Sequence, residues 1–79
     1  MIENFRNFID PKDFSINIYK DKINIKNYKK IITLGINKII IKLDNLKITL
    51  NGNNFSLTKL KDEELLITGK LESLEMKYE

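Results

Sequence analysis

The side chains able to do chemistry in this chain are few, and what is missing narrows the field first. There is no histidine to titrate near neutrality and no cysteine to act as a nucleophile or thiolate ligand, so acid-base or covalent catalysis would rest on carboxylates, Lys, Ser or Tyr. The densest carboxylate group is Asp62-Glu63-Glu64. Consecutive residues of a strand point to opposite faces, so this triplet makes a poor two-carboxylate device and reads as a solvated turn. A hard cation needs oxygens converging from several loops, and no second acidic cluster is spaced to converge on this one. Gly35, Gly52 and Gly69 are each 17 residues apart, with no strand-Gly-helix unit that would cradle a phosphate. Gly52 and Gly69 are therefore expected as turn or bulge positions, and the equal spacing suggests a regular β repeat. Neither a catalytic residue, a cofactor site nor a metal site is expected.

Lysine is the remaining resource. The formal net charge is +3, unevenly placed: residues 12–47 hold nine Lys against three Asp, net +6, while residues 48–79 hold four Lys against six acids, net −2. Lys22 and Lys26 share one strand face, Lys38 and Lys42 another, and Lys29, Lys30 and Lys47 lie close in sequence. Merged on adjacent strands they would form a basic contact face for phosphate, with Tyr19 or Tyr28 offering a ring for stacking. Against that, Arg6 is the sole arginine, and the chain is crowded with Ile, Lys and Asn while lacking Ala, Val, Gln, His and Trp, a skew that AT-rich codon usage would produce. Lysine on outer strand faces is also how ordinary sheets remain soluble.

The elements that would position these groups follow from period-two patterning. Ile23 and Ile25, Ile39 and Ile41 and Leu43, Leu46 and Ile48 and Leu50, Phe55 and Leu57, and Leu74 and Met76 and Tyr78 all alternate with polar residues, which marks strands with one buried face. Eight short strands are expected, at about 15–19, 22–27, 30–35, 38–43, 46–51, 54–60, 64–69 and 71–78. Lys20-Asp21, Ile36-Asn37, Asp44-Asn45 and Gly52-Asn53 read as the tight turns between them. Short loops imply antiparallel neighbours, so the fold class is all-β: a meander closed into a small sandwich or barrel, with a β-solenoid as the alternative. Leu65, Ile67 and Leu71 share one parity and Leu74, Met76 and Tyr78 the other, which predicts a bulge or bend between Gly69 and Ser73. Ile31-Ile32 and Ile39-Ile40-Ile41 place apolar groups on both faces, so those strands are central in a two-layer core or pair with another copy. Ile32 and Ile40 are the candidate association surface.

Residues 1–14 are expected as a separate lead-in and residues 15–79 as the β domain. Ile2, Phe5, Phe8 and Ile9 can share one side of a short helix over residues 2–9, which Pro11 would stop. With 79 residues the chain makes one domain that buries roughly 60–65% of its unfolded surface, so its margin of stability is small. The lack of cysteine suits a reducing compartment, and no secretory signal or membrane-spanning run is evident; a cytoplasmic protein is expected.

In order and spacing, three segments resemble the YabP/YqfC family of sporulation proteins from endospore-forming bacteria. They are Ile-Lys-Asn-Tyr-Lys at residues 25–29, Leu-Lys-Ile-Thr-Leu-Asn-Gly at 46–52 with one extra residue, and Glu-Leu-Leu-Ile-Thr-Gly-Lys-Leu-Glu-Ser at 64–73. The likeness spans residues 15–76. It implies a non-enzymatic β-rich adaptor or scaffold of sporulation, acting by self-association or with a membrane-protein partner, located in the cytoplasm or peripherally at the cytoplasmic face of a membrane. It supplies no catalytic residues. The alternative from the residues alone is a small nucleic-acid-binding β-barrel using the basic half.

Overall fold

The computed structural model describes residues 6–10, 14–61 and 63–78. They form seven strands: β1 (Arg6–Asp10), β2 (Phe14–Ile18), β3 (Lys22–Lys26), β4 (Lys30–Leu34), β5 (Lys38–Lys42), β6 (Leu46–Lys61) and β7 (Glu64–Tyr78). Every ladder is antiparallel, and the spatial order is β1-β2-β3-β7-β6-β5-β4 in one sheet. The chain is therefore all-β, two meanders joined where β3 pairs with β7. The antiparallel pairing is not that of a solenoid, and among the described residues the sheet does not close into a barrel: β1 and β4 are its edges.

Two expectations are corrected. Over residues 6–10 the backbone is a strand, not the helix expected over 2–9; residues 1–5 lie outside the described residues. A segment cut off by Pro11 is too short to hold a helix by itself, whereas edge pairing with β2 sets all five positions from Arg6 opposite Ile18 to Asp10 opposite Phe14. The expected eight strands also become fewer and longer. The pairs 46–51 with 54–60 and 64–69 with 71–78 each run on as one strand, β6 and β7. The chain does reverse at Lys20-Asp21, Ile36-Asn37 and Asp44-Asn45, but Gly52-Asn53 is a bend within β6 rather than a hairpin turn.

That bend organises the core. The first half of β6 lies between β5 and the last part of β7, and the first half of β7 lies between β3 and the last part of β6. One flat sheet would leave a face wet, yet Ile16, Ile23, Ile25, Leu65 and Ile67 from one half and Ile39, Ile41, Ile48 and Leu50 from the other are all sealed from solvent in a single cluster. Each half covers the other. The result is two layers: β1, β2, β3 with residues 64–68 and 56–61 in the first, and β4, β5 with residues 46–51 and 73–78 in the second. Register rows such as Ile16–Ile25–Leu65 and Ile39–Leu50–Leu74 carry the inward apolar residues.

At the crease both long strands shift register, between Asn51 and Gly52 opposite Ser73 and Leu71, and again between Asn53 and Ser56. The inward parity of β6 switches there from Leu46, Ile48 and Leu50 to Phe55 and Leu57, with Asn54 at φ 58°. The β7 shift falls where the parity change of Leu71 and Leu74 predicts it. Phe55 fills the inside of the fold, and its amide donates to Ile36 O at 2.8 Å. Gly52 and Gly69 donate to the facing turns, to Asn37 O at 3.0 Å and Asp21 O at 3.1 Å. A Cβ on Gly52 would collide with the Lys70 carbonyl and lie 2.6 Å from Phe55 Cζ; one on Gly69, at φ 136°, would lie 2.8 Å from Asn54 O and 2.9 Å from Phe55 Cδ1.

Alanine at these two glycines is accordingly expected to cost about 2–3 kcal/mol at Gly52, from overpacking against backbone, and about 1–3 kcal/mol at Gly69, from backbone strain. At about 4–8 °C per kcal/mol for a domain of this size, the melting temperature should fall by roughly 8–24 °C at Gly52 and roughly 4–24 °C at Gly69. Gly35→Ala, where no such φ is required, should stay within about 1 kcal/mol of wild type. Calorimetry or urea unfolding of the three variants checks the ranking; equal effects would contradict it.

Candidate functional site

On the outer face of the first layer a polar ladder crosses β2, β3, β7 and β6. Strand alternation sends Ser15, Asn17, Asn24 and Glu64 outward because Ile16, Ile23, Ile25 and Leu65 go inward. Asn17 Nδ2 donates to Ser15 Oγ at 3.4 Å and to Asn24 Oδ1 at 3.5 Å. Asn24 Nδ2 in turn donates to Glu64 Oε2 at 2.9 Å and to Leu65 O at 3.3 Å. Lys59 Nζ stands 3.8 Å from Glu64 Oε1, and the register places Glu64 between Lys26 and Lys61. Beside this ladder Tyr19, Lys22, Asn24, Glu64 and Leu66 line a shallow depression of about 290 Å³.

The surroundings of Glu64 favour its charged form. The Asn24 hydrogen bond, helped by the charges of Lys59, Lys26 and Lys61 and opposed by partial desolvation, holds its carboxyl below the ordinary carboxylate range. A carboxylate kept ionised in this way makes a poor proton donor near neutrality and a firm acceptor. Among the described residues no three His, Cys, Asp or Glu side chains gather as a metal site.

The residues singled out by sequence are scattered over this frame. Lys22 and Lys26 lie on β3, Lys38 and Lys42 on β5, with β7 and β6 between them in the sheet; they belong to the outer faces of different layers and do not form one basic face. The strand patterning placed each pair correctly on its own strand, but the strand order that separates the pairs is set by nonlocal pairing. Ile32 and Ile40 are brought together, since the β4 register shift after Ile31 sets Thr33 opposite Ile40 with Ile32 alongside. Ile32 is 48% exposed, and Ile40 is half-buried. Gly52 and Gly69 both sit in the crease. In the acidic triplet, Glu63 occupies the tip of the β6–β7 hairpin at φ 65° and Glu64 opens β7; Asp62 lies outside the described residues. The Asn24–Glu64 pair escaped sequence reading because forty residues separate its members, and no local signal links them.

A second concavity is apolar. Leu34, Gly35, Ile36, Ile39, Phe55 and Leu57 line a notch of about 130 Å³ where the β4–β5 turn meets the crease. No helix among the described residues is long and apolar enough to cross a membrane. Comparisons with protein-family models, with curated proteins and with solved structures return no match to this chain.

The depressed Glu64 carboxyl has a pH consequence. With the folded-state pKa below the unfolded one, its contribution to stability is complete above the ordinary carboxylate range and disappears as pH falls through the folded value. Acidification from neutrality should lower the melting temperature of wild type more steeply than that of Glu64→Gln, which retains an acceptor for Asn24 but does not titrate. Parallel acid-side profiles in thermal melts would contradict this account.

Proposed function

We propose that this protein is a non-enzymatic adaptor or scaffold that acts by self-association through the free edge of β4. The observation that carries the reading is the character of that edge. Among the described residues β4 has β5 on one side and no strand on the other, and Ile32, Leu34 and Ile36 are 48%, 49% and 68% exposed along it and its following turn. An edge with unpaired backbone groups and exposed apolar side chains is a template for another strand, and charge, proline or a covering loop ordinarily guards such edges. Here Lys30 is the only charged residue of the strand. Two copies meeting through β4 in antiparallel register would form an isologous pair, continuing the second layer across the two-fold axis and covering Ile32 with its counterpart.

The resemblance to the YabP/YqfC sporulation proteins supports the same reading, with spore formation as its setting and a membrane protein as a further partner.

Size-exclusion chromatography with light scattering over a wide concentration range tests the proposal. Wild type should pass from monomer to dimer as concentration rises, and Ile32→Lys, at a solvent-exposed position, should remain a folded monomer throughout. A wild-type chain that is monomeric at every concentration, or an Ile32→Lys variant that still dimerises, would sink the self-association reading.

A further inference from the structure

The crease holds a reactive pair that the fold keeps closed. Of the ten asparagines in the chain, Asn51 alone is followed by glycine. An asparagine side-chain carbonyl is open to attack by the backbone nitrogen of the next residue, and glycine there obstructs least and allows the widest choice of backbone angle. The others are followed by Phe, Ile, Tyr, Lys, Leu or Asn, whose side chains stand in the way. In the attack Gly52 N loses its proton and bonds to Asn51 Cγ, the Cγ–Nδ2 bond breaks, and Nδ2 leaves as ammonia, taking up a proton. Water then opens the five-membered imide at either carbonyl. One opening leaves an aspartate at position 51 in the ordinary chain; the other leaves an isoaspartate, with the main chain routed through the former side chain.

We infer that Asn51 is a deamidation site latched by the crease: closed while the two layers are joined, reactive once they part, and then a bar to reclosure. Three features hold it closed. Gly52 is buried, and its N–H, which must ionise, is donated to Asn37 O at 3.0 Å. Asn51 is paired on both sides, with Lys38 and with Ser73, so its backbone cannot rotate to close the ring. Its side chain is turned across to β7, where Nδ2 donates to Ser73 Oγ at 3.2 Å. The reacting atoms therefore lack attack geometry until the crease opens. Isoaspartate would insert one more atom into the main chain and displace Gly52 by about 1.5 Å. At Gly52 even a Cβ would collide with the Lys70 carbonyl and lie 2.6 Å from Phe55 Cζ. A chain that opens and reacts in this way stays open, whereas the aspartate product keeps the original spacing and can close. Copies that open are thus marked chemically and withdrawn one way from the folded population.

The test is peptide mapping by mass spectrometry of the full chain, incubated at mildly alkaline pH either folded in buffer or unfolded in guanidinium chloride, with aspartate and isoaspartate at position 51 resolved by chromatography. The unfolded chain should react at Asn51 ahead of every other asparagine. The folded chain should react roughly 100-fold or more slowly, within the opening equilibrium of a domain of this size. Gly69→Ala, which loosens the crease and leaves both reacting residues unchanged, should react in buffer roughly tenfold faster than wild type, or as fast as the denatured chain if it does not fold. On removal of denaturant the isoaspartate product should remain unfolded while the aspartate product refolds. A folded chain that reacts within a few fold of the unfolded one, a Gly69→Ala protein whose melting temperature falls with no gain in rate, or an isoaspartate product that refolds fully would overturn the inference.

Discussion

The structure depends on one close approach of backbone to backbone. At the crease the two strands of the long hairpin turn together from one layer into the other, and there is no room between them for side chains at Gly52 and Gly69. Phe55 occupies the inside of the crease, and the amides of Gly52, Phe55 and Gly69 are taken up by the facing turns at Asn37, Ile36 and Asp21. Each unit needs the others. Without the two glycines the strands could not bend this sharply, without the bend neither layer would cover the other, and the twelve buried apolar side chains among the described residues would face water. A chain of this length has a stability of only about 4–12 kcal/mol at ordinary values per residue, so a crease defect of a few kcal/mol is a large share of it.

Folding one sheet on itself also distributes the polar residues. Because inward positions are filled almost wholly by Ile and Leu, lysine, asparagine and the acids are driven to the outer faces and turns. The two outer faces then diverge. On the first layer Asn24 and Glu64 are tied into a hydrogen-bonded ladder with an acid between cations, a balanced surface. On the second Lys30, Lys42, Lys47 and Lys77 pair in one cross-strand row, and the open β4 edge beside it carries exposed isoleucine and leucine. The open β4 edge of the second layer thus differs in kind from the hydrogen-bonded ladder on the first.

What could be read from sequence was what is local. Alternation at Ile23 and Ile25 or Ile39 and Ile41, the turns at Lys20-Asp21, Ile36-Asn37 and Asp44-Asn45, and the parity change near Gly69 to Ser73 each depend on a handful of consecutive residues. The break at Gly52-Asn53 misled because Gly-Asn has the backbone freedom of a hairpin turn and of a strand bend alike; the contacts of Gly52 with Lys70 and Phe55 decide between them, and those are nonlocal. Residues 6–10 misled because a segment that short can offer either period, and pairing with β2 selects the strand. The lysines show the same division. Their strands were legible, but whether Lys42 stands beside Lys26 or beside Lys47 follows from a strand order in which β3 meets β7 and β5 meets β6.

Amide hydrogen exchange at the crease tests the central claim most directly. If the bent hairpin is what unites the layers, the amides of Gly52, Phe55 and Gly69 are closed by bonds to opposing turns and should exchange only through global unfolding, with the same protection as Ile48 and Ile67 in the middle of the ladders. Exchange at these three amides orders of magnitude faster than at Ile48 and Ile67 would contradict the account, since the two layers would then be hinged at the crease instead of held by it.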